Sequence, residues 1–515
     1  MTSRPAFLLA IASGLLMAAA FPPVGLFPLA FAALVPLLHA VEKSDPRAGR
    51  RGAFSARARR HFALGWTAGF VFFLGLLYWI PFLPPNNLTI PWLMVPSLLL
   101  MSAYLALFGG LFGMLLGWSR TGARVSLLVA APALWAAIEY LRSVGAIGFP
   151  WGTFGYALAP MVTTLQFASV TGIWGVSAWI VLINVLLLHV LQRTEGRRRA
   201  LDLSLVILAF ALPVIHSRDI LSSTPPAEVA RVGLVQPNID SRIKWDPAHR
   251  DELADRLFRM TYQVARGRDL DLIVWPEAAP PFLLARDSVF LPRVRALVDS
   301  IGVPLLAGSI DSRPGPDGPE RHYNSAILVR PGGSALEIYD KSQLVPFSER
   351  MPFQKTMPFL SAFDWGQSDF WPGDPGQPMP VDGRSFGTLI CFEAIFPPLA
   401  RLPVDRGAAF LVNITNDQWF GDTAAPEQHA DMALFRAVEN RRAIGRCANT
   451  GISMIIDPYG RVLSRTPTFI ETTLVGELAL PADETFYARH GDVAAWIFLL
   501  LSACCAAVPL FARPL

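Results

Sequence analysis

The sequence predicts a multi-span α-helical membrane bundle of about eight transmembrane helices joined to an α/β domain. Three observations lead to this fold class. Hydrophobic residues make up 52% of the 515 residues and charged residues only 16%, whereas soluble proteins carry about a quarter. Apolar runs of spanning length fill residues 1–217 and return at 488–515. Between them, residues 218–487 alternate short strand-like runs with amphipathic helical patterns.

The bundle is predicted from apolar stretches close to the ~20 residues that a transmembrane helix needs. They cover 5–20, 24–41, 62–82, 90–118, 124–142, 164–192, 200–216 and 490–512. The first seven form the predicted bundle, and the last is the C-terminal transmembrane helix. The first stretch is short and is followed by small residues, so a cleaved signal peptide is an alternative. We favour a retained helix because the second stretch begins after only a few residues.

Loop charge predicts the orientation of this bundle. Lysine and arginine residues concentrate in alternate loops, at 42–60, 120–124 and 193–199, while the loop 83–90 carries no charge. By the positive-inside rule, the basic loops are cytoplasmic. An odd number of spans before the large domain then places both termini in the cytoplasm and residues 218–487 outside. Because much of the basic excess lies in these loops, the net charge of +4 does not indicate nucleic-acid binding.

The α/β domain is predicted from strand-like runs that Gly, Pro, Asp or Asn residues bound. These runs are 229–236, 270–277, 303–310, 325–330, 386–393 and 408–415. Helical patterns with polar faces lie between them at 247–268, 287–301 and 426–445. Near-continuous apolar stretches within these runs, such as Leu-Ile-Val-Trp (272–275) and Phe-Leu-Val-Asn-Ile (410–414), indicate sheets that are covered on both faces.

Three chemically useful residues stand out in this domain, namely Glu277 and Cys391 at the ends of strand-like runs, and Lys341 in the segment Tyr339-Asp340-Lys341. Taken singly, each has an ordinary structural explanation as a rim carboxylate, a surface lysine or an inert buried thiol. Together they favour nucleophilic catalysis, because a thiol with a pKa of ~8.5 needs a base or a cation to react at neutral pH. Glu277 can accept the proton, and Lys341 favours both the thiolate and a tetrahedral oxyanion.

The Val-Trp-Pro-Glu277 strand end, Lys341 before Leu-Val-Pro-Phe-Ser-Glu349, and the Cys391-Phe-Glu393 strand end together resemble the nitrilase superfamily. This resemblance implies an α-β-β-α sandwich with a Glu-Lys-Cys triad. Glu277 is then the general base, Lys341 the cation that stabilises the intermediate, and Cys391 the nucleophile. By the same resemblance, Glu349 and Glu393 are supporting residues.

The bundle narrows the resemblance to the apolipoprotein N-acyltransferases of bacterial envelopes. The motifs are Glu139-Tyr-Leu-Arg142, Gly148-Phe-Pro-Trp151, Gly155-Tyr156, Gln236 with Asn238, Lys244-Trp245-Asp246-Pro247, Asn416 through Gly421 and His429 through Arg442. The resemblance implies an inner-membrane enzyme with a periplasmic catalytic domain. It would move an acyl chain from a phospholipid, typically phosphatidylethanolamine, through a cysteine thioester to the α-amino group of a diacylglyceryl-cysteine lipoprotein.

The resemblance also suggests Trp245 and Phe392 as substrate-binding residues. Phe392 stands where some relatives have a tyrosine, and Ser348 replaces a glycine common before the glutamate. No P-loop, GxGxxG or HExxH pattern occurs, so we expect no cofactor and no metal. We expect a monomer. Within the bundle, Glu139 and Arg142 lie one turn apart and are predicted to pair, and 145–156 is predicted to be an interfacial loop.

Two alternatives remain open from the sequence. A membrane-tethered amidase would use the same triad with water as the acceptor, although a hydrolase of small amides does not need eight spans. A transporter with a binding domain is less consistent, because the bundle has few ionisable residues and no matching halves.

Overall fold

The structure is a computed structural model that describes residues 3–43, 53–83, 91–120, 125–222, 228–315, 318–353, 356–357, 359, 369–480 and 483–511. Half of the basic loop 42–60, residues 121–124 and most of the uncharged loop 83–90 lie outside the described residues.

Seven α-helices precede the α/β domain in the described part of the chain. They are α1 (Ser3–Ala19), α2 (Val35–Lys43), α3 (Ala53–Leu76), α4 (Met94–Ser119), α5 (Leu127–Ser143), α6 (Ala168–Gln192) and α7 (Gly196–Leu221). Among the described residues, four helical segments are long and apolar enough to cross a bilayer, namely Ala56–Phe82, α4, α6 and α7. α1 is apolar but shorter. In the described residues, four helices thus have the length and hydropathy of a membrane span, and the prediction of about eight transmembrane helices is not confirmed.

The prediction of a continuous span at 24–41 is wrong. A short 3₁₀ segment, Phe27–Phe31, is followed by a turn, and α2 begins only at Val35. The main-chain groups that this break leaves unpaired bind one buried amide of α6. Asn184 Oδ1 accepts a hydrogen bond of 2.8 Å from the Leu34 N–H, and its Nδ2 donates one of 2.8 Å to the Ala30 carbonyl. The break is tolerated because these groups find partners inside the bundle.

In the described residues, the α/β domain is built from twelve β-strands and five α-helices. The strands are β1 (Val229–Gln236), β2 (Leu272–Trp275), β3 (Leu305–Pro314), β4 (Glu320–Val329), β5 (Glu337–Asp340), β6 (Pro378–Val381), β7 (Arg384–Ile390), β8 (Phe410–Thr415), β9 (Ile444–Ala448), β10 (Met454–Ile456), β11 (Val462–Arg465) and β12 (Thr472–Ala479). The helices are α8 (Ser241–Lys244), α9 (Arg250–Ala265), α10 (Phe290–Ile301), α11 (Pro397–Asp405) and α12 (Ala425–Asn440). Two helices follow the domain, α13 (Phe486–His490) and α14 (Val493–Phe511).

The strands form two six-stranded sheets, ordered β12-β1-β2-β3-β4-β5 and β11-β10-β9-β8-β7-β6. Each sheet has a parallel centre, β1-β2-β3 in one and β7-β8-β9 in the other, with antiparallel strands outside it. The first and last strands of the domain pair antiparallel, with Val229 opposite Ala479. The two ends of the domain's chain therefore lie side by side.

The domain has four layers. The two sheets pack face to face through apolar side chains such as Leu234, Val274, Phe386 and Val412. α9 and α10 cover the outer face of the first sheet, and α11 and α12 cover the second. This confirms the predicted nitrilase-like arrangement of two sheets between helices. The strand-like run 229–236 coincides with β1.

The layer of α11 and α12 is also the contact with the bundle, because its apolar residues belong to one core with those of the bundle helices. The rings of Phe435 on α12 and Tyr156 pack with centroids 5.4 Å apart. α14 packs against α5, where the Tyr140 and Trp496 rings lie 5.6 Å apart. The α/β domain and the bundle therefore share a continuous interior.

Candidate active site

Three strand ends bring the predicted triad residues to one edge of the sandwich. Glu277 follows β2, Lys341 follows β5 and Cys391 follows β7. Lys341 Nζ lies 3.5 Å from Glu277 Oε1. The charges of Glu277 and Lys341 both act on the Cys391 thiol. The structure thus places the three residues in one electrostatic cluster.

Glu277 is held by hydrogen bonds to both of its carboxylate oxygens. The amide Nδ2 of Asn324, on β4, donates to Oε1 at 2.7 Å. The main-chain N–H of Asn416, just after β8, donates to Oε2 at 2.8 Å. Because the carboxylate is fixed by donors from both sheets, its orientation toward the cysteine strand end is defined before any substrate binds.

Lys341 is almost completely buried, with 1% of the residue exposed. Its ammonium contacts Glu349 Oε1 at 2.8 Å in addition to Glu277. Burial opposes the charged form, but the carboxylates of Glu349 and Glu277 outweigh that effect and raise the pKa of Lys341 well above its usual value. Lys341 is therefore a permanent cation in this site. Glu349, which also accepts the Val345 N–H at 2.7 Å, anchors it.

Cys391 occupies a strained turn between β7 and a 3₁₀ segment, with a backbone φ of +51°. A non-glycine residue rarely adopts this left-handed conformation, and such strain concentrates at functional sites. Burial first, and then the charge of Glu277, raise the pKa of the Cys391 thiol, while Lys341 lowers it. Since the net direction is upward, the resting thiol is protonated and its attack requires a base beside it.

Glu393 connects the lysine loop with the cysteine strand. Its Oε1 accepts hydrogen bonds of 2.9 Å from the Tyr339 hydroxyl and 2.7 Å from the Ser342 N–H. Its Oε2 accepts the Ile390 N–H at 2.8 Å. Ile390 immediately precedes Cys391, and Ser342 immediately follows Lys341. Glu393 is therefore placed to fix the distance between the two segments that carry the nucleophile and the cation.

The two predicted substrate-binding residues lie in different surroundings. Trp245 is half exposed, and its ring centroid lies 5.2 Å from the ammonium of Lys244. Burial lowers the pKa of Lys244 to about 8, although Glu277 opposes this shift. Phe392 is buried, with its ring 6.2 Å from that of Phe149 in the bundle. Trp245 is thus available to a ligand from solvent, whereas Phe392 packs at the junction of domain and bundle.

The bundle segment 145–156 lies directly against the cysteine region. Arg142 Nη1 donates to the Phe149 and Trp151 carbonyls at 2.6 and 2.7 Å. Glu139 Oε1 accepts the Phe154 N–H at 2.7 Å. Glu139 and Arg142 thus each hold this segment through hydrogen bonds to its main chain, and the ion pair between them stays a prediction. The segment in turn presents Trp151 to α12, where its ring stacks on His429 with centroids 5.7 Å apart.

Sequence reasoning assigned no role to several residues that complete the site. Asn324 orients Glu277 and Glu349, Asn416 binds Glu277, and His429 contacts the main chain of Cys391. Asn416 follows the apolar strand β8, so its position at the same sheet edge was a usable signal. Asn324 lies within a strand and His429 within a helix, and neither place distinguishes a site residue from a structural one.

A thiol beside a fixed carboxylate and a permanent ammonium is suited to acyl transfer through a covalent intermediate. Residues 13–186 match the family described as apolipoprotein N-acyltransferase N-terminal domain, and residues 231–484 match the carbon-nitrogen hydrolase family. The apolipoprotein N-acyltransferase of Geobacter metallireducens is 37% identical over 98% of this chain and 95% of its own. That of Chlorobaculum tepidum is 34% identical over 95% of this chain and 94% of its own.

Among solved structures, Saccharomyces cerevisiae Nit3, a member of the nitrilase superfamily, superposes with a TM-score of 0.39 at 20% identity. The superposition covers 50% of this chain and 92% of Nit3. The two relatives named above extend over nearly the whole chain, bundle and domain together. The protein therefore belongs to the apolipoprotein N-acyltransferase family, whose members are acyltransferases of lipoprotein biosynthesis, and its α/β domain matches the carbon-nitrogen hydrolase family.

Proposed function

We propose that the protein transfers an acyl chain from a phospholipid to the N-terminal α-amino group of a diacylglyceryl-cysteine apolipoprotein, through a thioester on Cys391. The observation that carries this proposal is the buried Lys341 ammonium between the Glu277 and Glu349 carboxylates, beside the strained cysteine turn. The carboxylate supplies a base for the protonated thiol, and the cation supplies charge for an oxyanion.

In the first stage, Glu277 takes the proton of the Cys391 thiol as the sulfur attacks the ester carbonyl of the phospholipid. Lys341 stabilises the oxyanion that forms on the carbonyl oxygen. When the intermediate collapses, the carbon–oxygen bond of the ester breaks. Glu277 returns the proton to the departing glycerol oxygen, so that a lysophospholipid leaves and the acyl chain remains on sulfur.

In the second stage, the α-amino group of the apolipoprotein attacks the thioester carbonyl. Glu277 takes a proton from the attacking nitrogen, and Lys341 again stabilises the oxyanion. The carbon–sulfur bond breaks, and Cys391 recovers its proton from Glu277. The products are a stable amide and the free enzyme. Phosphatidylethanolamine is the donor that we propose.

We propose the same topology that loop charge indicates. Residues 1–217 form the bundle, 218–487 form a periplasmic catalytic domain, and 488–515 form the last transmembrane helix of a monomer in the inner membrane. α7 supports this orientation, because its N-terminal turn carries three consecutive arginines and its other end leads into the domain. Both termini are then cytoplasmic, and the site faces the leaflet that holds both substrates.

Covalent trapping tests the chemistry. The full-length protein in detergent is incubated with phosphatidylethanolamine that carries a tagged acyl chain, beside Cys391→Ala and Cys447→Ala. Cys447 is a matched control because its buried thiol donates to the main-chain carbonyls of Val235 and Val274 between the two sheets, rather than to Glu277 or Lys341. We expect a hydroxylamine-labile tag on the wild type and on Cys447→Ala, and none on Cys391→Ala.

The fate of the tag separates the alternatives. Transfer to a diacylglyceryl-cysteine peptide supports the acyltransferase. A tag that forms but leaves only as free fatty acid indicates a hydrolase that uses water as the acceptor. A folded wild type that never acquires the tag would refute the phospholipid-donor mechanism.

A further inference from the structure

A buried imidazole binds the main chain of the proposed nucleophile. His429, on α12, is 1% exposed, and its Nε2 lies 3.2 Å from the carbonyl oxygen of Cys391. Cys391 adopts the left-handed backbone conformation, which an L-residue keeps only where its surroundings hold it. His429 is therefore hydrogen-bonded to the peptide group between Cys391 and Phe392. Because this bond helps to fix the backbone of Cys391, it also helps to set the direction in which the thiol points.

The polar neighbours of His429 define which nitrogen carries the proton. Asp417 Oδ1 lies 3.0 Å from Nδ1, and Arg446 Nη2 lies 3.2 Å from the same nitrogen. Burial first, and then the charge of Arg446, lower the pKa of His429, and Asp417 opposes them. The carbonyl oxygen of Cys391 can only accept, so its contact with Nε2 requires a hydrogen on that nitrogen, and in the neutral ring Nδ1 then accepts from Arg446. In the protonated form both nitrogens carry one. Nε2 therefore donates to the Cys391 carbonyl in either state.

The imidazole ring is also held by the bundle. Trp151 stacks on it, with an angle of 27° between the ring planes. The Trp151 Nε1–H donates at 2.9 Å to the Oε1 of Gln428, the residue before His429. The same amide oxygen accepts the Trp79 Nε1–H at 3.3 Å. The amide nitrogen of Gln428, Nε2, donates to the Pro22 carbonyl at 2.7 Å. Three separate parts of the bundle thus meet the helix turn that carries His429.

We propose that His429 is a positioning residue: its hydrogen bond to the Cys391 carbonyl orients the Cys391 thiol. Trp151 of the bundle holds the His429 ring in place, so the orientation of the thiol depends on the bundle as well. The inference rests on the proposed function only in taking Cys391 as the nucleophile. The bundle then has a part in the chemistry beyond anchoring the domain, because the segment 145–156 completes the support of the nucleophile turn.

Two substitutions of His429 separate positioning from general structural support. The amide of His429→Gln reaches the place of Nε2 and can still donate to the Cys391 carbonyl, whereas the amide of His429→Asn reaches only the place of Nδ1. Both variants are neutral and both lose the ring. We measure single-turnover acylation by tagged phosphatidylethanolamine, alkylation of Cys391 by iodoacetamide, and Tm, all on the full-length protein. We expect acylation to be about tenfold slower in His429→Asn than in His429→Gln, as expected for one lost hydrogen bond.

A second matched pair tests the part of the bundle. Trp151→Leu and Trp79→Leu each remove one buried indole and one hydrogen bond to Gln428, but only Trp151 stacks on His429. We expect similar losses of Tm in both variants and a slower acylation per folded molecule in Trp151→Leu alone. This pair also keeps the proposal testable if His429→Asn does not fold.

Equal acylation in His429→Gln and His429→Asn would overturn the positioning role. Equal rates in Trp151→Leu and Trp79→Leu would overturn the dependence on the bundle. A wild type without any acyl-enzyme would instead refute the proposed function. In that case the alkylation rates of Cys391 still rank the four variants, and the same order among them would support the positioning role by itself.

Discussion

Replacing Glu277 by Gln separates the base from the scaffold of the site. The carboxylate accepts from Asn324 at 2.7 Å and Lys341 at 3.5 Å on Oε1, and from the Asn416 N–H at 2.8 Å on Oε2. Gln has one acceptor oxygen, so its NH₂ group must face a donor on one side. One buried donor without a partner costs about 1–3 kcal/mol. This is less than the free energy of unfolding of a typical domain, which is about 5–15 kcal/mol. We expect the variant to fold.

The kinetic effect of the same substitution is larger. Loss of a general base lowers the rate about 10²–10⁴-fold, which corresponds to about 3–5 kcal/mol in the barrier. Alkylation of the thiol should respond differently. The charge of Glu277 is, after burial, the leading cause that raises the pKa of Cys391. Its removal therefore increases the thiolate fraction at a given pH, and alkylation by iodoacetamide should not become slower.

The assay compares the two reactions on one preparation. Acylation is followed as hydroxylamine-labile tag in a single turnover, and alkylation is assigned to Cys391 by peptide mass spectrometry, because the chain has four cysteines. We expect Glu277→Gln to lose acylation and to keep alkylation. If both rates fall by the same factor, Glu277 acts only as a scaffold, and the assignment of the general base is wrong.

Three further outcomes follow from the same contacts. Lys341→Met leaves the Glu277 and Glu349 carboxylates buried without their cation, so thermal melts should show a loss of about 3–5 kcal/mol together with the loss of acylation; an unchanged Tm would contradict this. Although burial opposes it, a buried arginine holds the pKa of Asp417 at about 2, below its usual 3.8. Asp417 should therefore contribute about 2 kcal/mol of stability that is complete above about pH 4 and lost as the pH falls toward 2, and the acid dependence of Tm should be weaker in Asp417→Asn. Trp245→Ala truncates a half-exposed side chain, so KM for the phospholipid should rise while Tm stays the same; an unchanged KM would show that Trp245 does not bind substrate.

The sequence was sufficient to predict the domain because its strands are marked locally. The run 229–236 is rich in valine and other apolar residues, is followed by Pro237 and becomes β1 without change. The charged residues after such strands also carry their own signal. Glu277 and Cys391 lie at the ends of two of the predicted runs, whereas the strand before Lys341, β5, was not among them, so only the structure shows that the three residues meet.

The rest of the site depends on contacts that no local pattern encodes. Asn324 lies in the middle of β4, and its role exists only because Glu277 and Glu349 converge on its amide. His429 binds a main-chain carbonyl, which every residue possesses and which leaves no mark in composition. The break in 24–41 is similar, since the apolar residues predict a span, whereas the interrupted main chain is satisfied by side chains elsewhere in the bundle, above all the amide of Asn184.

The adjacent ends of the α/β domain have a consequence for the biosynthesis of the molecule. Since Val229 pairs opposite Ala479, the chain enters and exits the α/β domain at neighbouring positions. α14, which follows the domain in sequence, packs against α5, which precedes it. The ribosome nevertheless releases α14 only after the entire domain. Until then, the groove that receives α14 is empty, including Tyr140 and the Trp118 indole, which donates at 2.7 Å to Ala506. The nascent chain therefore passes through a stage in which the domain can fold while this groove still faces lipid or the insertion machinery. α14 can therefore close this groove only after the whole domain has been synthesised.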